Sequence, residues 1–236
     1  MSDILLLLET TGTFCSVALA RDGRIIGHRE GDEPYEHAAR LTVFIDELMR
    51  ETGLEMADLT AIALSSGPGS YTSLRIGAAT AKGLVFALGC GFVAVDTLAA
   101  LAGAVSVGAA NNIILPAQAS RRNEVYAAAY AADGTRHWDT RALVVEPGCL
   151  DELLLTGQQL IVAGTGAELV RNTLPENPAI TYQTTVRPRA EYLLPAARLA
   201  LQNVAFDDAA SYQPRYLKSP FVTKSKKRFF GKLPLG

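Results

Sequence analysis

The feature that most restricts the fold of this chain is an order of elements that occurs twice. An apolar run, Ile4 to Leu8, reads as a buried strand, and a Thr-Thr-Gly turn at 10 to 12 leads to a second, Phe14 to Ala20. Asp22-Gly23, a dipeptide suited to a tight hairpin, leads to a third, Arg24 to Arg29. Residues 36 to 51 then place Leu41, Phe44, Ile45, Leu48 and Met49 at helical spacing, with Gly53 as the stop. A strand (59 to 64), a glycine-rich turn, a helix (71 to 88), a short strand (92 to 95) and a helix (97 to 105) complete the half. From Ile113 the order begins again with a strand to Pro116, its hairpin partner Glu124 to Tyr130, and an Asp-Gly turn at 133 and 134 into a third strand. After Pro147 come a short helix, the strand Leu160 to Ala163, the turn Gly164-Thr165-Gly166 and a helix from Ala167. Sequence identity between the halves is negligible, so the repeat is one of order.

Two α/β units of βββαβα order, each a mixed sheet with flanking helices, make the actin-like, ribonuclease-H-like architecture when they face each other. The expected division is 1–106 for the first domain, joined by 205–220, then 107–204 for the second and a basic tail over 221–236. Residues 190 to 203 read as a last helix entered through Pro188, and from 211 the chain reads as extended, ending in a disordered tail. In this architecture the cleft between domains holds a nucleotide, because backbone N–H groups at glycine turns and helix starts favour anions. The candidate cleft residues are Glu9, Thr10, Thr11 and Gly12 after the first strand and Gly164, Thr165 and Gly166 in the second half.

Composition limits the setting. With 236 residues, 49% of them hydrophobic, there is ample material for a buried core. The net charge of −2 hides a segregation: residues 1 to 208 carry 15 basic against 24 acidic groups, and seven basic residues with no acidic one follow. Cys15, Cys90 and Cys149 are too far apart for a CxxC metal site and odd in number, which fits a reducing cytoplasm. The apolar run at Ile4 to Leu8 is too short for the core of a signal peptide, and no run approaches bilayer length, so no membrane association is expected.

Five stretches carry a resemblance: "ILLLLETTGTFCSVAL" (4 to 19), "SSGPGSYTSLRIGAATAKGL" (65 to 84), "VDTLAALA" (95 to 102), "RRNEVYAAAY" (121 to 130) and "YLKSP" (216 to 220). They resemble the bacterial TsaB (YeaZ-like) family of tRNA threonylcarbamoyladenosine biosynthesis, related to TsaD within the actin-like ATPase superfamily. The resemblance spans nearly the whole chain. Departures fall at Glu9, where the family usually has Asp, at Ser73, usually Gly, and at Ala119, where Asp often stands. The resemblance implies a non-catalytic scaffold, with no catalytic residue, metal or cofactor of its own, supporting TsaD in forming N6-threonylcarbamoyladenosine at position 37 of tRNAs reading ANN codons. It implies a TsaD-like protein and a TsaE-like ATPase as partners, ATP or ADP entering only with the complex, and a homodimer when the chain is alone. In such proteins the two long helices pair with those of TsaD or of a second copy. Carried onto this sequence, the expected interface is His37, Leu41, Phe44, Ile45, Leu48, Tyr71, Leu74, Arg75, Ala78 and Lys82.

Each motif also has a plainer use. Gly67-Pro68-Gly69-Ser70 is not a Walker loop, because GxxxxGK[ST] is absent and Lys82 lies deep in the following helix. Its glycines serve equally as a sharp strand-to-helix reversal. Arg75 holds an anion, a partner carboxylate or an ordinary ion pair. Gly77, Ala78, Ala79, Ala81 and Gly83 let another helix come close or are simply covered within their own domain. No second ligand stands near His28, His37 or His137 at metal spacing, and the stretch Asp96 to Leu101, where TsaD-like relatives carry an HxxxH pair, has no histidine. Actin-like phosphotransfer needs carboxylates to hold Mg²⁺; Glu9 is one candidate, but Gln118 and Ala119 offer none. An ATP-dependent phosphotransferase or ATPase is therefore the second reading, and a metallopeptidase the third. Glu9 alternatively hydrogen-bonds Thr11 and Gly12 within the turn. The tail, with Phe221, Phe229 and Phe230 among its cations, suits tRNA contact, docking on an acidic partner or mere solubility.

Overall fold

The computed structural model describes residues 2–31, 33–34, 36–106, 112–155 and 157–218. The basic tail expected over 221–236 lies outside the described residues. Strand β1, Ile4–Glu9, is buried along its whole length. An unbroken run of leucines suits a strand covered on both faces. β2 (Ser16–Arg21) pairs antiparallel with one edge of β1, and β4 (Ala61–Ser65) pairs parallel with the other. β3 (Arg24–Glu30) and β5 (Gly91–Val95) complete the order β3-β2-β1-β4-β5.

The second sheet contains β6 (Ile113–Ala119), β7 (Glu124–Ala131), β8 (Arg136–Val144), β9 (Leu160–Ala163) and β10 (Ile180–Gln183), in the order β10-β9-β6-β7-β8. Read from the β8 edge, it runs third, second, first, fourth, fifth strand of its half, which is the order of the first sheet. The expected duplication and the α/β, actin-like class are thus observed. β10 was not anticipated: its four residues are too few to show periodicity, and it exists by pairing parallel with β9.

Alternation along β1 divides the interior. Leu6 and Leu8 join Val17, Leu19 and Ile62 under α1 (His37–Thr52) and α2 (Tyr71–Leu88). Leu5 and Leu7 face the other way, onto a 3-10 turn at Ala190–Leu193 and Ala197 of α6 (Leu194–Gln202). Pro195 in the first turn of α6 costs no internal hydrogen bond there, so the expected last helix is a 3-10 turn followed by a short α-helix. The second sheet is covered on one face by Leu153 of α4 (Asp151–Leu154) and Val170 of α5 (Ala167–Thr173). On its other face lie Leu98 and Ala102 of α3 (Thr97–Gly103). α3 follows the first sheet in the chain yet covers the second, and α6 follows the second yet covers the first.

Candidate functional site: the cleft between the two sheets

Glu9 ends β1 and is only 1% exposed. Its Oε1 accepts hydrogen bonds from Thr11 N at 2.5 Å and Thr11 Oγ1 at 2.6 Å. Burial pushes the carboxyl above its ordinary value, against the pull of those bonds. The carboxylate therefore closes its own turn, as the plainer reading had it, with Thr11 as the partner. Thr10 N is bound to Ser65 Oγ at 3.2 Å, and Thr11 O accepts from Ser70 N at 3.1 Å.

The loop after β4 is tied down in the same manner. Gly67 N donates to Thr97 Oγ1, and Gly67 O accepts from Thr97 N, both at 3.1 Å. A Cβ on Gly69 would lie 2.5 Å from that of Thr11, and one on Gly77 would strike Thr10 Oγ1. Glycine at both positions is what allows α2 to settle on the turn after β1. In the second half, Gly164 N donates to Gln183 O, Gly166 N to Ala117 O and Ala167 N to Gly164 O. With these N–H groups satisfied within the protein, the Gly164 to Gly166 turn reads as packing against β6. Thr165 is its exposed member, and its Oγ1 accepts from Ala119 N at 3.0 Å.

Between these turns lies a cavity of about 360 Å³. Its walls include Thr11, Gly12 and Thr13, the start of α2 at Ser70 and Tyr71, and the end of β6 from Gln118 to Arg121. Gln118 Nε2 donates to Thr11 O at 3.0 Å, which joins the two halves, while its Oε1 has no partner. A further wall is Tyr216, Leu217 and Lys218. This C-terminal strap is anchored where Arg215 N meets Ser66 O at 2.8 Å and where Lys82 Nζ binds the carbonyls of Ala210 and Tyr212 at 3.0 and 2.9 Å. The Tyr216 ring lies 4.7 Å from that of Tyr71, which also carries the Arg75 guanidinium at 4.7 Å. Lys218 then pairs with Glu124 of β7 on the far side of the cleft and holds that carboxyl below its ordinary value.

Asp96 is a second junction that sequence reasoning passed over. Its Oδ1 accepts from the N–H groups of Leu98 and Ala99 at the start of α3, while Oδ2 receives Arg136 at 3.1 Å and Arg215 at 3.0 Å. One carboxylate thereby ties α3, the β7–β8 hairpin and the strap. Only the Asp before a helix-like run was a visible signal; both arginines come from far along the chain.

The expected interface residues divide sharply. His37, Leu41, Phe44, Ile45, Leu48, Leu74 and Ala78 are buried. Their spacing is that of the face which covers the sheet, so they form core. Tyr71 lines the cleft, Lys82 holds the strap, and the exposed Arg75 stacks on the Tyr71 ring. Facing outward on the same two helices are Thr42 and Val43 of α1 and Thr72, Ala79, Gly83 and Phe86 of α2, with Phe86 93% exposed. His37 Nε2 has no partner, and burial lowers the basicity of the ring against the carbonyls of Gly12 and Phe14. Among the described residues, no group of three His, Cys, Asp or Glu side chains is placed to hold a metal ion. No helix among them is long and apolar enough to cross a membrane.

Two mixed sheets of duplicated topology around a cleft define an actin-like α/β protein. A polyphosphate/ATP glucomannokinase from Arthrobacter shares this fold at 13% identity and a TM-score of 0.50, covering 85% of this chain and 99% of its own. The family model "TsaD: tRNA N6-adenosine threonylcarbamoyltransferase" matches residues 34–224. The tRNA threonylcarbamoyladenosine biosynthesis protein TsaB of Escherichia coli is 32% identical, over 82% of this chain and 85% of its own. The Haemophilus influenzae TsaB is 28% identical, over 93% and 95%. The structure of YeaZ from Pseudomonas aeruginosa superimposes with a TM-score of 0.77 at 30% identity, covering 91% of this chain and all of its own. The chain belongs to the TsaB (YeaZ-like) family.

Proposed function

We propose that this chain takes part in tRNA threonylcarbamoyladenosine biosynthesis as a non-catalytic scaffold that supports a TsaD-like transferase acting at N6 of adenosine 37 in tRNAs reading ANN codons. The observation that carries the reading is kinship with TsaB proteins along nearly the full length of both chains. The outward face of α1 and α2 supports the scaffold role. Its exposed residues include Thr42, Val43, Thr72, Ala79 and Gly83, over which another helix can pack closely, flanked by the charged Asp46, Arg50 and Arg75, which can pair with a partner's charges. The same face serves a second copy of the chain when the transferase is absent. A TsaE-like ATPase joins the complex and brings ATP or ADP with it. The basic residues after Asp208 give the assembly a salt-sensitive contact for tRNA, and the cytoplasm is its setting.

Phosphotransfer is the weaker reading, because the carboxylate it would recruit, Glu9, is spent on Thr11. The test is gel filtration of this chain with a TsaD-like protein, followed by threonylcarbamoylation of tRNA by the mixture. A complex forms, and the mixture modifies tRNA faster than the transferase alone. A charge at Phe44 or Ala78 would disrupt the core; Val43→Asp and Ala79→Asp place it on the accessible face. These variants fold with unchanged melting temperature and lose the complex. Absence of a complex with the wild-type chain at micromolar concentrations would sink the proposal.

A further inference from the structure

A second hollow, of about 510 Å³, lies between α3, α6 and β5, the last strand of the first sheet, and shares no wall residue with the cleft. Its apolar wall is built of small side chains: Ala99 and Ala100 of α3, Ala196 and Ala200 of α6, and Ala205 beyond it. Leu199, which follows Ala196 by one turn of α6, is 60% exposed, and Val204 beside Ala205 is 75% exposed. Apolar surface gathered in one place in this way marks a contact surface.

The same wall contains Asp96, Glu191 and Asp207 and no cation. Asp96 is neutralised by Arg136 and Arg215. Arg189, whose charge Glu191 feels, is itself bound to Glu30. Asp207 is exposed and gives one oxygen to the Ala94 N–H at 2.7 Å. An apolar groove edged by two carboxylates suits a segment that carries both apolar rings and cations.

This chain contains such a segment. Residues 219–236 include Phe221, Phe229 and Phe230 together with Lys224, Lys226, Lys227, Arg228 and Lys232, and no acidic residue. The approach to it starts at the groove, because Arg215 holds Asp96, a member of the groove wall. The strap already seats basic side chains on carboxylates of the body twice, at Asp96 and at Glu124. An extended chain covers roughly 3.3 Å per residue, so about ten residues reach roughly 30 Å, the diameter of a small domain. Tethering also raises the local concentration of such a segment far above that of a free partner.

We propose that the segment 219–236 returns to its own body and docks in this groove, its phenylalanines against the alanine wall and its cations at Glu191 and Asp207. A nucleic acid reaches those cations only by displacing them. The inference concerns the chain alone and does not rest on the scaffold reading.

The test uses the full chain at low concentration and low salt. A carbodiimide joins ammonium and carboxylate groups that touch, and mass spectrometry of the monomer fraction locates the links. They run from Lys224, Lys226 or Lys227 to Glu191 or Asp207. Limited trypsin digestion gives a second measurement, since cleavage after Lys224 follows the fraction of time the segment is undocked. Ala196→Arg and Glu191→Gln, both on the groove wall, speed that cleavage at least about fivefold with unchanged melting temperature. Phe229→Ser combined with Phe230→Ser does the same without altering the body. Glu152→Gln, at an exposed carboxylate of α4, leaves the rate as it was. Four results overturn the proposal: no such links, links spread evenly over the acidic residues of the body, links confined to a dimer fraction, which would give the groove to a second copy, or equal cleavage in all variants.

Discussion

Glu9 shows how one buried side chain sets a pH dependence. Its carboxyl titrates above 4.5 in the folded chain because burial disfavours the charge, so the folded state holds the proton more tightly than the unfolded one. The stabilisation is fully present below pH 4.5 and is lost as pH rises through the folded value. Glu9→Gln keeps an acceptor for Thr11 and removes the titration. The melting temperature of the wild type should therefore fall relative to that of Glu9→Gln as pH increases from 4.5 toward neutrality. His37 acts with the opposite sign: its value lies below 6.5, so its contribution is lost as pH falls below 6.5. Leu48 is a simpler case, fully buried between α1 and the first sheet. Leu48→Ala should cost roughly 2–5 kcal/mol in a denaturant titration, since it leaves a cavity as well as removing apolar burial. Leu48 was visible from its spacing, whereas the orphaned oxygen of Gln118 depends on a neighbour 107 positions away.

At the scale of elements, periodicity and turn chemistry located the strands and helices well. The two long helices were expected over 36–51 and 71–88 and are observed over His37–Thr52 and Tyr71–Leu88. Which face of them turns inward was less legible, because Val43 and Phe44 are adjacent and both apolar, yet Phe44 is buried and Val43 is 40% exposed. Helix packing on the sheet makes that choice: it buries most of the residues first expected to meet a partner and leaves those between them accessible, which is where the proposed partner surface lies. Asp96 ties α3 to two arginines. Asp96→Ala should cost at least about 0.5–2 kcal/mol from the lost cap alone. In hydrogen exchange, residues 98–103 and the strap at 215–218 should lose protection together, while β1 keeps its own; protection lost in α3 alone would show that the arginine ties carry no coupling.

Across the whole molecule, the two halves are held by exchange: α3 leaves the first sheet to cover the second, α6 returns to cover the first, and the strap crosses the cleft to reach Glu124. Gly69→Val should force α2 away from the turn after β1, widening the cleft and lowering the melting temperature, because the added side chain would meet Thr11 backbone atoms that cannot yield. Small-angle scattering of that variant reads the opening directly.

The sequence by itself determined most of the elements, their duplicated order and the family, since these follow from local periodicity, turn residues and motifs that lie within a few positions of one another; β10 needed its pairing with β9. Only the tertiary structure decided which sheet each connecting helix covers, which residues of α1 and α2 remain accessible, and what lines the cleft. Those outcomes depend on burial and on hydrogen bonds between groups as far apart as Arg215 and Asp96, 119 positions distant, and no local pattern encodes which of many chemically equivalent partners the packing will bring together.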